Sequence, residues 1–111
     1  MEELIFLVQG SAEEPYTVRF IRRSESNISA YCTCPAGENG QYCKHRFNII
    51  DGETAGIVSD NARDVEIVKS WIPGTDIEYT MMEVREIEKE IAKLRKLLSE
   101  AKKRVAHAML H

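Results

Sequence analysis

The 111-residue chain has no long apolar run, no surplus of one charge, too few cysteines for a disulfide framework, and neither glycine nor proline after Gly74. Each absence excludes something. The N-terminal apolar stretch Leu4-Ile5-Phe6-Leu7-Val8 follows Glu2 and Glu3 rather than basic residues. It falls far short of the ~20 residues of a membrane span, and its flank is wrong for a secretory signal, so a cytoplasmic protein is expected and no membrane role. A formal net charge of −3 gives no chain-wide attraction to nucleic acid, and any such role needs a local patch. Three cysteines cannot all pair internally, and in a reducing compartment they stay thiols. Paired carboxylates and a phosphate-cradling loop are also missing, so no enzyme chemistry and no small-molecule substrate are expected. What remains is a chain with 43% hydrophobic residues, enough for one core of ordinary domain size.

The pattern along the chain predicts an α+β fold. Residues 3–9 are apolar and too short for a stable helix, which favours a strand. From Tyr16 the sequence alternates: Tyr16, Val18 and Phe20 face one way, and Thr17, Arg19, Ile21 and Arg23 the other. After turn residues at 24–27, a third strand over 28–34 puts Ile28, Ala30, Cys32 and Cys34 on one face. The three form an antiparallel meander. Residues 46–50 fit a short helix stopped by Gly52, and residues 53–58 allow a further short strand. Ser59 or Asp60 caps a helix over roughly 61–72, with Val65, Val68, Trp71 and Ile72 as its buried stripe. Pro73-Gly74 ends it. Thr75 and Glu78 have the spacing of a capping box and open a helix over 75–108. Two domains are expected, a β-meander with its Cys/His cluster over 1–58 and a helical region over 59–111.

The last helix has a heptad period. With Ile77 at a, the a positions are Ile77, Val84, Ile91, Leu98 and Val105, and the d positions are Thr80, Ile87, Leu94, Ala101 and Ala108. Its first half is acidic and its end basic, the order the helix dipole favours. The seam can lie on the sheet of its own subunit or pair with another helix. At ~1.5 Å per residue a thirty-residue helix spans roughly 45 Å, against a radius of gyration near ~13 Å for a domain of this size, so an overhang and self-association are expected. The interface residues are Val84, Ile87, Ile91, Leu94 and Leu98. A β-branched a with leucine at d favours a parallel dimer, although only Ile91 and Leu94 match that pairing.

All three cysteines and one of three histidines fall between Cys32 and His45 in a C-x-C-x8-C-x-H arrangement. Four soft ligands are what a tetrahedral zinc ion requires, and with no open position the ion is structural rather than hydrolytic. The spacing has a rationale. On extended backbone residues i and i+2 face the same side, so Cys32 and Cys34 reach one ion. Pro35 holds Cys34 extended, Gly37 and Asn39-Gly40 turn the chain back, and Cys43 precedes a helix whose first turn holds His45. Helix N-terminal amides then face thiolates, and Lys44 and Arg46 offset the −1 of zinc with three thiolates. A Cys32–Cys34 disulfide closes a strained ring and suits neither the count nor the compartment, and zinc-bound Cys and His are not free for nucleophilic catalysis. His107 and His111 are assigned no role.

Cys32-x-Cys34-Pro35, Gly40 and Cys43-Lys44-His45 resemble the SWIM-type zinc finger, over roughly residues 16–50. The resemblance implies a ββα-like zinc fold that binds DNA or other proteins. A protein-interaction module, with the C-terminal helix dimerising or docking a partner, is the first reading. The alternative is DNA or RNA binding through Arg19, Arg22, Arg23, Lys44 and Arg46, with Tyr31 or Tyr42 stacking. It is thinly supplied: five phosphate contacts give a salt slope of about −4.5, and Arg19 and Arg22 sit on opposite strand faces.

Overall fold

A computed structural model describes residues 1–110, so the expectation for His111 lies outside the described residues. The fold is α+β. Three strands, β1 (Glu2–Val8), β2 (Tyr16–Ser24) and β3 (Asn27–Cys32), are followed by helices α1 (Pro35–Glu38) and α2 (Lys44–Ile50). A 3-10 turn (Ala62–Asp64) then leads into α3 (Val65–Trp71) and the long α4 (Asp76–Ala108). The chain divides into two compact units, Met1–Glu78 and the helix from Tyr79 onward. Residues 59–72, grouped by sequence with the long helix, lie in the first unit, because the apolar side chains of α3 are buried there and α3 packs with α2.

The sheet is an antiparallel meander in the order β1-β2-β3. Its register aligns Phe6, Val18 and Cys32 in one cross-strand row and Leu4, Phe20 and Ala30 in the next. Phe6, Val18 and Phe20 are fully buried, and Phe6 meets Phe20 edge to face at 6.1 Å, the geometry favoured by the ring quadrupoles. Ile49 and Ile50 of α2 and Val65, Val68 and Trp71 of α3 complete the core. The buried stripe of α3 is as the sequence predicts.

At three places the structure departs from the local pattern. Ile21 belongs to the outward face by alternation but is buried. Its cross-strand neighbours are Glu3 and Ser29. Arg19 Nε donates to Glu3 and Arg23 Nε to Ser29 on the strands to either side. Ser59 does not cap a helix and neither does Asp60: Ser59 Oγ accepts from Leu7 N–H and donates to Asn61, whose side-chain amide donates to Ile5 O. These groups satisfy the free edge of β1 instead. Residues 53–58 contribute a single bridge, Ile57 against Val8, rather than a strand, with Gly56 O accepting from Gln9 N–H.

The start of α4 is capped as expected. Thr75, 1% exposed, accepts from Glu78 N–H through Oγ1 at 3.4 Å, and the Glu78 carboxylate reaches back to Gly74 N–H. Beyond Met81, which is buried, the side chains of α4 are exposed or half-buried. No helix among the described residues is long and apolar enough to cross a membrane.

The paired phenylalanines set the first expectation for stability. Phe20→Ala removes a fully buried ring and should cost about 3–5 kcal/mol, read as a lower denaturation midpoint in urea. Tyr79→Ala, at a 65% exposed position, should stay within roughly 0.5 kcal/mol of the parent.

Candidate metal centre

The ligand atoms of Cys32, Cys34, Cys43 and His45 all lie within 4.8 Å of one another. Cys32 ends β3, and Cys34 follows in extended backbone at φ −66° and ψ 158°. Pro35 then opens α1, and Cys34 serves as its N-cap, its Sγ accepting from Gly37 N–H at 3.2 Å. The chain returns through Gly40 at φ +70°, a left-handed conformation that glycine adopts without a Cβ penalty. Cys43 is the N-cap of α2 and His45 stands in its first turn. Both ligand pairs are therefore placed as their spacing predicts, two on extended chain and two across a helix start.

Three of the six ligand–ligand distances lie close to the edges of a metal tetrahedron. Cys34 Sγ to Cys43 Sγ is 3.4 Å, Cys43 Sγ to His45 Nδ1 is 3.6 Å, and Cys32 Sγ to His45 Nδ1 is 3.7 Å. Tetrahedral zinc with bonds of ~2.3 Å to sulfur and ~2.0 Å to nitrogen has edges of roughly 3.5–3.8 Å. The three cysteines are buried and none is in a disulfide.

The surroundings supply negative-charge stabilisation from the backbone. Cys32 Sγ receives Cys34 N–H at 3.5 Å, Cys34 Sγ receives Gly37 N–H, and Cys43 is approached by the backbone N–H groups of Arg46 and His45. Without a cation the sulfurs do not share this equally. Burial pushes the Cys32 thiol up to about 12. Burial acts upward on Cys43 as well, but the Arg46 N–H and the neighbouring Cys34 and Cys32 thiols outweigh it and hold Cys43 below the ordinary thiol range. His45 is lowered by burial and by the charge of Lys44, which keeps the imidazole neutral and able to ligate. A divalent cation is what allows three thiolates to coexist here.

Residues 6–46 match the family model described as the SWIM zinc finger. This stretch is similar to the SWIM zinc finger. Neither the curated proteins nor the solved structures contain a match to the chain. The matched segment starts ten residues before the 16–50 expected, because β1 belongs to the finger: its Phe6 packs on Phe20 and its register fixes β2. The four donors are close enough together to bind one zinc ion, and four protein ligands would leave it no open position, as in a structural site.

Several supporting residues of the finger are not evident in the sequence. Gly37 is needed less for turning than for space, since a Cβ there would lie 2.5 Å from Cys32 O and 2.8 Å from Cys32 Cβ. Gly10 looks like a strand terminator, yet a Cβ at that position would come within 2.6 Å of the Tyr16 ring and 3.1 Å of His45 Nε2. Tyr16 lies 5.1 Å from the His45 ring, centroid to centroid, and so buttresses the ligand. No local signal marks such contacts, because they join residues distant in sequence.

The five basic residues considered for nucleic acid are dispersed. Arg19 is ion-paired with Glu3 at 2.6 Å and Arg22 with Glu2 at 3.9 Å, while Arg23 donates to Ser29. Arg46 donates to Ala30 O and Gln41 O, tying β3 to the loop of the finger rather than facing outward to balance the metal. Lys44 is exposed. Tyr42 already stacks on Phe47 at 4.1 Å, and Tyr31 is half exposed.

Purified protein should contain one zinc per chain by elemental analysis, and a chelator should unfold the amino-terminal half; a metal-free preparation with an intact sheet would contradict the assignment. Loading should expel protons, the Cys32 proton among them at neutral pH, so apparent affinity should fall as pH is lowered and rise with pH, as a competition titration would read. Gly37→Ala should weaken zinc binding by roughly tenfold or more, equivalent to about 1.4 kcal/mol of the strain caused by the added Cβ.

Proposed function

We propose that this protein is a zinc-braced protein-interaction module, in which the finger fixes a small sheet-and-helix surface and the seam of α4 docks against another helix. The observation that carries the reading is the exposure of that seam. Ile87, Ile91, Leu94 and Leu98 recur at heptad spacing and are 52%, 41%, 63% and 54% exposed. Val84 is half-buried. Scattered apolar residues on a surface need no explanation, but a continuous stripe does.

Magnitudes favour association. Burying one such side chain contributes ~1.5–3 kcal/mol, so four of them on each helix offset much of the roughly 4–15 kcal/mol lost on association. The helix is also cut out for exposure: its capping box, its intrahelical pairs Glu86–Lys89 and Glu90–Lys93 and its freedom from glycine and proline give it local support. Catalysis has no place in this reading. Three unpaired thiols suit a reducing compartment, and we place the protein in the cytoplasm on that ground.

Nucleic-acid binding has less to draw on. Arg46 is spent on carbonyls and Arg19 on Glu3, so fewer than the five contacts behind the steep salt slope are available. Leu94→Asp should convert the protein to a smaller species in sedimentation, or release its partner, while far-UV circular dichroism keeps its helical signal; unchanged mass and lost stability would place the seam within one chain. Gel shifts with duplex and single-stranded DNA should show no complex at physiological salt.

A further inference from the structure

We propose that the partner of α4 is a second copy of this chain, docked antiparallel, with Ile91 of each helix opposite Leu94 of the other. The proposal rests on the helix-docking reading above and adds the occupant and its direction. Charge decides both. The residues flanking the seam at e are Met81, Glu88, Arg95 and Lys102, and those at g are Glu83, Glu90, Leu97 and Arg104. The acidic members stand in the first half of the helix and the basic ones in the second.

In a parallel pair, g faces the e position of the next heptad. Glu83 then meets Glu88 of the second copy, a like-charge contact made twice by symmetry, and Glu90 meets Arg95. The attractive and repulsive contacts cancel. In an antiparallel pair e faces e and g faces g. With Ile91 opposite Leu94, the layers are Val84 on Ala101, Ile87 on Leu98 and Ile91 on Leu94, so the largest side chains occupy the centre and the small ones the ends. In that register Glu83 faces Arg104 and Glu88 faces Arg95, each twice, and no like charges meet. Moving one heptad along brings Arg95 onto Arg95 and leaves fewer large layers.

These four residues are also not engaged within the helix itself. Glu86 and Glu90 are bound by Lys89 and Lys93 within α4, whereas Glu83, Glu88, Arg95 and Arg104 make no ion pair among the described residues and are all exposed. Opposed helix dipoles add to the same preference. The leucine and β-branched pattern alone favours a parallel pair, but only one heptad carries it, and the flanking charges set direction where the seam is that indifferent.

A charge-reversal pair tests direction, with sedimentation equilibrium at about 0.15 M salt, where exposed pairs within the ~8 Å screening length still act. Glu83→Lys with Glu88→Lys should weaken self-association by about tenfold or more, as four exposed pairs turn repulsive. Arg95→Glu with Arg104→Glu should do the same, and an equimolar mixture of the two double variants should recover the parent affinity. A parallel dimer gives a different result. It exchanges Glu–Glu for Lys–Lys and keeps Glu90–Arg95, so the first double variant would associate like the parent, and that overturns the direction while the seam reading stands. A parent protein that stays monomeric overturns the second copy as occupant. A dimeric parent whose mass ignores Leu94→Asp overturns the seam reading itself. Circular dichroism of each variant confirms that the helix is retained.

Discussion

One coordination polyhedron ties the end of a sheet to the start of a helix, and the rest of the finger depends on it. Cys32 and Cys34 leave β3 on extended chain, and Cys43 and His45 enter α2 across its first turn. Sulfur atoms 3.4 Å apart in a buried place are costly as anions and of little use as thiols. A cation at their centre removes the repulsion and makes each backbone N–H that faces them favourable. The ion is thus a cross-link whose strength exceeds any single contact of a core this small.

That cross-link also explains why so many small residues and polar bridges crowd the centre. Gly37 and Gly10 exist to let Cys32 and His45 be approached closely. Arg46, which a charge count assigns to balancing the metal, ties the loop to β3 through two carbonyls. The heptad residues of α4 beyond Met81 are exposed or half-buried. A zinc clasp closes from within a core of limited buried area.

Much of this was legible in residues. The two i,i+2 ligand pairs, the alternation of Val18 and Phe20, the stripe of α3 and the capping box at Thr75 all depend on neighbours within a few positions, where backbone periodicity decides what faces what. The four-residue helix α1 was not legible, because a single turn has too few residues to show a period. Alternation points Ile21 away from Val18 and Phe20, yet it is buried, because burial depends on what other segments cover a residue. The local option for a serine is a helix cap, but Ser59 instead accepts from an edge amide of β1 more than fifty residues away.

Sequence by itself determined the ligand set, the strand order and the extent of α4, since ligand chemistry and periodicity are properties of consecutive residues. Tertiary structure decided which glycines make room, which arginines are occupied, where β1 finds its edge partners, and that the seam of α4 is left uncovered. Those outcomes depend on distances between segments that no local pattern encodes, and on burial, which belongs to the packed chain rather than to any residue in it.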